Sequence, residues 1–251
     1  MSSNALSIKS EVGILYIATG AKYIKAAMRS AESVQKFCPG LPIHLFANYR
    51  EYDLKLDQAP NPFSSVAEVT NPHRRSKVDY LSATPFDRTL YLDTDTIVNA
   101  DIRQVFKILD RFDLALCHAP HRNSTVSTSN WRTDIPDAFP EFNSGVFLYK
   151  KTSSMLKLLE DWKTGFYEAG FQKDQVTLRE LLWLSDLRIA TLPPEYNIRY
   201  MKYHYIWSRK EATSKIFHLR RLHYGRFSSV TRIWKKYFNP IYYSIIKKGQ
   251  E

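Results

Sequence analysis

The sequence predicts an α/β fold, with a mostly parallel central sheet flanked by helices, on three observations. Apolar runs of strand length alternate with segments whose apolar residues recur at helical spacing. Those runs are apolar throughout, the pattern of strands buried on both faces of a parallel sheet. The length of 251 residues, 44% of them hydrophobic and 24% charged, suits one ordinary globular domain with a small appendage at most. Eight glycines and twelve prolines exclude collagen-like and low-complexity chains, and no repeat period marks a solenoid.

The first strand runs from Val12 to Ala18, VGILYIA, bounded by Thr19-Gly20. Ile24, Ala27, Met28, Ala31 and Val34 then mark a helix that Pro39-Gly40 stops, and Ile43 to Ala47 completes a βαβ unit. A polar stretch to Asn71-Pro72 leads into a basic cluster, His73, Arg74, Arg75 and Lys77, and a short amphipathic piece through Leu81. Thr89 to Leu92 is the next strand and ends in Asp93-Thr94-Asp95. Ile102, Val105, Phe106 and Leu109 form a helical stripe capped by Asp101, followed by a strand from Leu114 to Cys117. Residues 118–140 are polar and turn-rich, a long loop of the kind that serves as a lid. Phe142 to Tyr149 returns to a strand, Met155 to Phe166 and Asp174 to Trp183 read as helices, and Leu187 to Leu192 and Lys215 to Leu219 as late strands.

Several classes are excluded or constrained by composition. The apolar runs fall far short of the roughly 20 residues that cross a bilayer, and the opening MSSNALSIKSEVG lacks the charged start and apolar stretch of a secretory signal, so a cytoplasmic protein is expected. Cys38 and Cys117, the only cysteines, are not paired as CxxC, which argues against a disulfide framework or a cysteine zinc site. A net charge of +11 suits an anionic partner: nucleic acid, lipid headgroups or a phosphorylated small molecule.

The chemistry concentrates at Asp93-Thr94-Asp95. Carboxylates at i and i+2 of an extended chain point the same way, so both can face one ion at the carboxyl end of a sheet, where open α/β folds bind ligands. Hard carboxylate oxygens select Mg²⁺ or Mn²⁺, ions that bridge protein carboxylates to substrate phosphates. The competing reading is a polar turn in which Asp95 or Thr96 caps the next element. Asp93-Thr94-Asp95-Thr96 also resembles the nucleophile loop of haloacid dehalogenase superfamily phosphatases, but that loop belongs on the first strand and needs a later strand ending in a second acidic pair. Neither condition is met here. A non-enzymatic nucleic-acid-binding protein has only net charge in its favour, without a zinc-finger pattern, an RNA-recognition aromatic motif or a basic helical arm.

Several features occur together in one order: Ala18-Thr19-Gly20; Lys77 ahead of Thr84-Pro85-Phe86-Asp87-Arg88; Asp93-Thr94-Asp95; Phe142-Asn143-Ser144-Gly145-Val146; Asp174-Gln175; Leu192-Pro193-Pro194-Glu195-Tyr196-Asn197; and a late histidine. On these the chain, over most of residues 12–225, resembles the family-8 and related retaining glycosyltransferases, the group containing glycogenin and the bacterial lipopolysaccharide galactosyltransferases. The resemblance implies a GT-A (nucleotide-diphospho-sugar transferase) fold over residues 1–227. It implies a Mn²⁺- or Mg²⁺-dependent, retaining transfer of a sugar from a nucleotide-diphosphate sugar, a UDP-sugar, to a glycan or glycolipid hydroxyl.

The same resemblance assigns roles. Ala18, Thr19 and Gly20 would lie beneath the nucleoside. Lys77 would reach the diphosphate or the Asp93 and Asp95 carboxylates. Thr94 would belong to the donor site with its flanking aspartates. Asn143, Ser144 and Gly145 would bind the transferred sugar, Asp174 would accept from its hydroxyls, and Gln175 would sit opposite the leaving group; Asp174 could equally cap the helix after it. The third metal ligand would be His218, with His223 as the alternative. No Lys-Pro-Trp follows either histidine, so the phosphate contact of that lysine would come from Arg220, Arg221 or Arg226, or be absent. His118 stands where many members carry an acidic residue against the sugar, which points to a donor other than galactose or glucose. The final stretch, 228–251, mixes Trp, Tyr, Phe and Ile with lysines, a composition for peripheral contact at a membrane interface or for packing on the catalytic domain.

Overall fold

The computed structural model describes residues 11–224 apart from 53, 55, 57–60, 123 and 126. Strand β1 (Val12–Ala18) is buried from Gly13 onward, as an unbroken apolar run requires. Gly20, at φ +100°, turns the chain into helix α1 (Ala21–Phe37), which lays Ile24, Ala27, Ala31 and Val34 against the sheet. Strand β2 (Ile43–Ala47) pairs parallel with β1, and β3 (Ser65–Glu68) pairs parallel with β2 at the sheet edge. β3 falls in the polar stretch that the sequence marks as connection; as a half-exposed edge strand it carries no apolar run.

Helix α2 (Lys77–Tyr80) precedes β4 (Arg88–Leu92), which pairs parallel with β1 on the side away from β2. The motif Asp93-Thr94-Asp95 then leads into β5 (Thr96–Val98). The helix expected around residues 102–109 is a 3₁₀ segment, Arg103–Asp110, with Val105, Phe106 and Leu109 buried. The expected cap is shifted: Ile102 stands at the cap position, and Asp101 before it accepts the Arg103 backbone N–H at 2.9 Å. Strands β6 (Leu114–His118) and β7 (Phe142–Lys150) are antiparallel to each other, and β7 is antiparallel to β4. Helices α3 (Ser153–Ala169) and α4 (Gln175–Leu184), strand β8 (Ile189–Thr191), helix α5 (Met201–Ile206) and strand β9 (Ile216–His218) complete the described chain.

The main sheet has the order β3-β2-β1-β4-β7-β6-β8, parallel at every pairing except the two made by β7. Its faces are told apart by the period of two. Ile14, Tyr16, Leu90, Leu92, Val146 and Leu148 face α1 and the 3₁₀ segment, while Leu15, Tyr91, Phe147 and Tyr149 face α3 and α4. Trp162 of α3 is fully buried on the second face, and its indole N–H donates to the Asp174 carbonyl at 2.8 Å. Deleting such a side chain costs about 3–5 kcal/mol, so the start of α4 is anchored by core packing. A separate pair, β5 and β9, runs antiparallel with Thr96 opposite His218.

The second half of the loop marked as a candidate lid, residues 130–139, is bonded to α4. Glu180 of α4 accepts the backbone N–H groups of Trp131 and Arg132 at 3.1 and 2.8 Å and the Thr133 hydroxyl at 3.0 Å. Arg179, 2% exposed, donates to the carbonyls of Phe139 and Pro136 and to the Asn130 side chain. Two buried charges thus have their hydrogen bonds satisfied by the loop's own polar groups, which explains why so polar a segment lies ordered against α4.

Candidate active site

Strand order reverses at β1: β2 and β3 lie on one side, β4 on the other. The carboxyl ends of β1 and β4 therefore flank the crevice in which open α/β sheets bind ligands. Ala18, Thr19 and Gly20 occupy the β1 end. The Thr19 hydroxyl donates to the His73 carbonyl at 3.1 Å and the Gly20 N–H to Asn48 Oδ1 at 2.8 Å, so this turn is tied to its surroundings on both sides.

The β4 end carries the aspartates. Asp93 N–H donates to the Gly145 carbonyl at 2.8 Å, continuing the β4–β7 ladder by one residue. Thr96 Oγ1 donates to the Asp93 carbonyl and meets Ser30 Oγ, itself bonded to the Tyr16 hydroxyl, each at 2.8 Å. This buried hydroxyl chain fixes the turn in which Asp93 and Asp95 project together. The register of β9 against β5 then delivers His218 beside them, and Leu219 N–H donates to the Asp95 carbonyl at 2.9 Å. One ligand atom each from Asp93, Asp95 and His218 lie within 4.8 Å of one another. His218 Nε2 is 3.1 Å from Asp95 Oδ1 and 3.5 Å from Asp93 Oδ2.

The orientation of the His218 ring follows from a chain of bonds that starts at a backbone amide. Gly145 N–H can only donate, so the Asn143 side-chain atom 3.2 Å away is its oxygen. The Asn197 atom 2.9 Å from that oxygen must then be its NH₂, and the Asn197 atom facing His218 Nδ1 at 2.8 Å its carbonyl oxygen. Nδ1 therefore donates to Asn197, and Nε2 is the ring atom that faces the carboxylates. A histidine oriented in this way by an outer acceptor is the usual state of a metal ligand. Two carboxylates with one imidazole fit a divalent ion, and the nitrogen favours Mn²⁺ over Mg²⁺, which prefers oxygen ligands. Gly145 lets the two ligands close in on the backbone of β7: a Cβ there would lie 2.2 Å from His218 Cε1 and 2.4 Å from Asp93 Oδ2.

His223, the alternative ligand, stands outside this group. Its Nε2 meets Thr94 Oγ1 at 3.0 Å and its Nδ1 is 4.0 Å from Asp95 Oδ2, with the ring edge-on to Tyr23. Burial lowers its pKa against the pull of Asp95 and Asp93.

Next to the aspartates, Lys77 is 7% exposed and reaches three groups: Ser144 Oγ at 2.8 Å, Asp174 Oδ2 at 3.3 Å and Asp93 Oδ1 at 3.5 Å. Ser144 Oγ donates to Asp174 Oδ2 at 2.8 Å, and Arg75 Nη1 lies 3.1 Å from Asp174 Oδ1. Burial works to raise the carboxyls of Asp93 and Asp174. Lys77 with His218 and the Tyr91 hydroxyl hold Asp93 well below the usual range, and Lys77 with Arg75 and Ser144 hold Asp174 below it. Asp95 is lowered against its burial by His218. Asp174 makes no side-chain cap to α4, so the capping expectation is corrected: its backbone is already helical and its carboxylate faces the cations. Gln175 donates Nε2 to the Phe142 carbonyl at 3.0 Å, placing its amide beside the start of β7.

Asn143 has its oxygen committed to Gly145 and Asn197, which leaves its NH₂ as the group it can offer a ligand. His118 ends β6 opposite Phe142, with the two ring centroids 5.5 Å apart. Arg220 lies in the exposed 3₁₀ turn after β9. The Arg221 side chain, Arg226 and the segment 228–251 lie outside the described residues. Asn197 and Arg75, both in direct contact with this cluster, received no role from the sequence. The phosphatase alternative fails on topology, since the motif sits on β4 and strands β6 to β9 end without a second acidic pair.

No protein-family model matches the chain, and no curated protein matches it in sequence. Solved structures match it in fold. The galactosyltransferase LgtC, in complex with donor and acceptor sugar analogs, is 12% identical over 95% of this chain and 96% of its own, with a TM-score of 0.61. An active-site mutant of LgtC gives 14% identity over 83% of this chain and 87% of its own, with a TM-score of 0.60. Mouse xyloside xylosyltransferase 1 in its apo form is 16% identical over 83% of this chain and 97% of its own, with a TM-score of 0.56. At such identities the likeness is one of fold.

Proposed function

We propose, from the GT-A fold that this chain shares with those glycosyltransferases, that it is a metal-dependent, retaining glycosyltransferase that moves a sugar from a nucleotide-diphosphate sugar, a UDP-sugar, to a glycan or glycolipid hydroxyl. The observation that carries the reading is the convergence of Asp93, Asp95 and His218, with Lys77 beside them, at the carboxyl end of β4 next to the β1–β4 crevice. Asp93, Asp95 and His218 would hold Mn²⁺. Bound there, the ion supplies charge that stabilises the departing nucleoside diphosphate.

The remaining steps belong to side chains. Thr19 and Gly20 let the nucleoside approach the backbone at the end of β1. Lys77 adds positive charge where the diphosphate leaves. The Asn143 NH₂ and the Ser144–Asp174 pair orient the sugar hydroxyls, and His118 shapes the sugar end for a donor other than galactose or glucose. An inverting transferase needs a base opposite the leaving group. The Gln175 amide has no usable proton-accepting site near neutral pH, and Asp174 is a poor base with its charge neutralised by Lys77, Arg75 and Ser144. Attack from the face of the departing phosphate, with retention, follows. Residues 1–227 form the catalytic unit in this reading, and 228–251 suit a membrane surface. Among the described residues no helix is long and apolar enough to cross a membrane.

The test is a thermal-shift panel of nucleotide sugars with and without Mn²⁺, since a ligand bound only to the folded state raises its stability. A UDP-sugar shift that requires Mn²⁺ and disappears in Asp95→Asn is expected; an undiminished, Mn²⁺-dependent shift in that variant refutes the metal assignment. Proton NMR of the linkage made from an α-linked donor checks the stereochemistry. A β-configured product would overturn retention and make Asp134 and Asp137 the first candidates for a base.

A further inference from the structure

The basic cluster ahead of α2 holds a cation that the reading above uses only to lower the basicity of Asp174. Arg75 Nη1 lies 3.1 Å from Asp174 Oδ1, and its Nε donates to the Gln172 carbonyl at 3.3 Å. One guanidinium therefore ties the segment before α2 to the connection between α3 and α4. Its own backbone is clamped: Arg75 N–H donates to His73 Nδ1 at 3.2 Å, and the Arg75 carbonyl accepts from Val78 N–H at 3.0 Å. Because His73 Nδ1 accepts, its Nε2 carries the proton and donates to Asp79, and the Tyr167 hydroxyl of α3 closes the same cluster on Asp79 at 3.0 Å.

Charge explains what this does. Asp174 is buried, with a side chain 2% exposed, and a buried carboxylate without a partner is strongly unfavourable. Lys77 alone cannot serve it well, because the same ammonium also faces Asp93. Arg75 takes one oxygen of Asp174 and leaves Lys77 and Ser144 the other. We propose that Arg75 is a positioning residue for transfer: it fixes the Asp174 carboxylate at the sugar end of the donor site, on the oxygen that Lys77 and Ser144 do not hold. The proposal rests on the glycosyltransferase reading and adds to it a division of labour, with Arg75 acting on sugar placement and Lys77 on the leaving group.

The experiment compares the full-length protein with Arg75→Met and Arg75→Lys, using the nucleotide sugar that gives the largest shift in the panel, and UDP with Mn²⁺ as the sugar-free probe. For Arg75→Met, kcat/KM should fall by about tenfold to a hundredfold, the scale on which misplaced groups slow a reaction, while the UDP Kd stays within about twofold. Arg75→Lys keeps the charge but not the planar fork that reaches both Asp174 and Gln172, so its kcat/KM should lie between the two. In an Asp174→Asn background the Arg75→Met change should cost less than about twofold, since its partner is already neutral. A kcat/KM for Arg75→Met within about twofold of wild type overturns the proposal and leaves the transferase reading intact. A parallel loss of UDP affinity overturns it by making Arg75 a phosphate ligand, and full additivity with Asp174→Asn overturns it by making the role purely structural. If the wild-type protein neither binds UDP with Mn²⁺ nor turns over a nucleotide sugar, the transferase reading itself falls, and the proposal with it.

Discussion

Gly145→Ala adds one methyl group at the centre of the candidate metal site. Gly145 lies in β7 with ordinary strand dihedrals, so the backbone accepts alanine and only space opposes it. The new Cβ would fall 2.2 Å from His218 Cε1 and 2.4 Å from Asp93 Oδ2. Restoring ordinary contact at about 3.5 Å takes a displacement of roughly 1 Å by each neighbour. His218 has little freedom to yield: it is 2% exposed and its Nδ1 is held by Asn197. Metal ligands must sit within about 0.2 Å of their ideal distances, so a 1 Å shift removes at least one of the three. Overpacking costs about 1–3 kcal/mol, and for a domain of this size each kcal/mol lowers Tm by roughly 2–4 °C. The variant should therefore fold, melt several degrees early, and lose the stabilisation that the proposed function expects UDP with Mn²⁺ to give the wild type, about 2.7 kcal/mol at a ligand concentration near 100 times Kd. Thermal melts with UDP, with and without Mn²⁺, read both effects. A variant that keeps the Mn²⁺-dependent shift at full size would show that the ion is not held by the residues packed on Gly145.

Asn197→Ala removes the acceptor that orients the His218 ring through Nδ1, so Mn²⁺ affinity at saturating UDP should fall by about 10- to 100-fold; an unchanged Mn²⁺ titration would refute the orientation argument. His44 supplies a pH test away from the site. Burial lowers its pKa to about 4, its Nδ1 meets Ser65 Oγ at 2.7 Å, and its Nε2 is buried without a partner. Since the unfolded chain binds this proton from about pH 6.5 downward and the folded chain only near pH 4, stability is complete above pH 6.5 and drains away between those values, by up to roughly 3 kcal/mol. Urea midpoints of wild type and His44→Gln should therefore converge as pH falls from 6.5 to 4 if the variant starts out less stable, and a gap between them that is independent of pH would refute the assignment.

The parts of the site that the sequence exposes are those carried by local pattern. Asp93 and Asp95 could be placed because an unbroken apolar strand delivers them at i and i+2, and His218 because it ends a short apolar run as Asp93 does. The parts it hides depend on register between distant segments. Strand β5 is three residues long and exists through its pairing with β9, so neither periodicity nor composition marks it. Asn197 closes the Leu192-Pro193-Pro194-Glu195-Tyr196-Asn197 motif of the resemblance, but its own task appears only when Ile198 N–H meets the Ile216 carbonyl and sets it against His218. The attachment of the loop's second half was hidden for a related reason: polarity marks residues 118–140 as a loop, but not that polar groups at 130–139 would bond two buried charges on α4, Arg179 and Glu180.

Asp174 shows how such ambiguity resolves physically. An aspartate directly before a helix is, from sequence, an N-cap and a ligand group at once. Capping requires an extended backbone and a carboxylate turned back onto the first helical N–H groups, yet Asp174 has helical dihedrals at φ −74° and ψ −17°. Its carbonyl is taken by the Trp162 indole, which fixes the entry to α4 by core packing instead of by a cap. The carboxylate is thereby free to turn inward, where Arg75, Lys77 and Ser144 neutralise it within reach of Asp93. The resulting site gathers three carboxylates, from Asp93, Asp95 and Asp174, and two side-chain cations. A divalent ion added there would bring the balance to about one positive charge, which is the balance an incoming diphosphate needs under the proposed function.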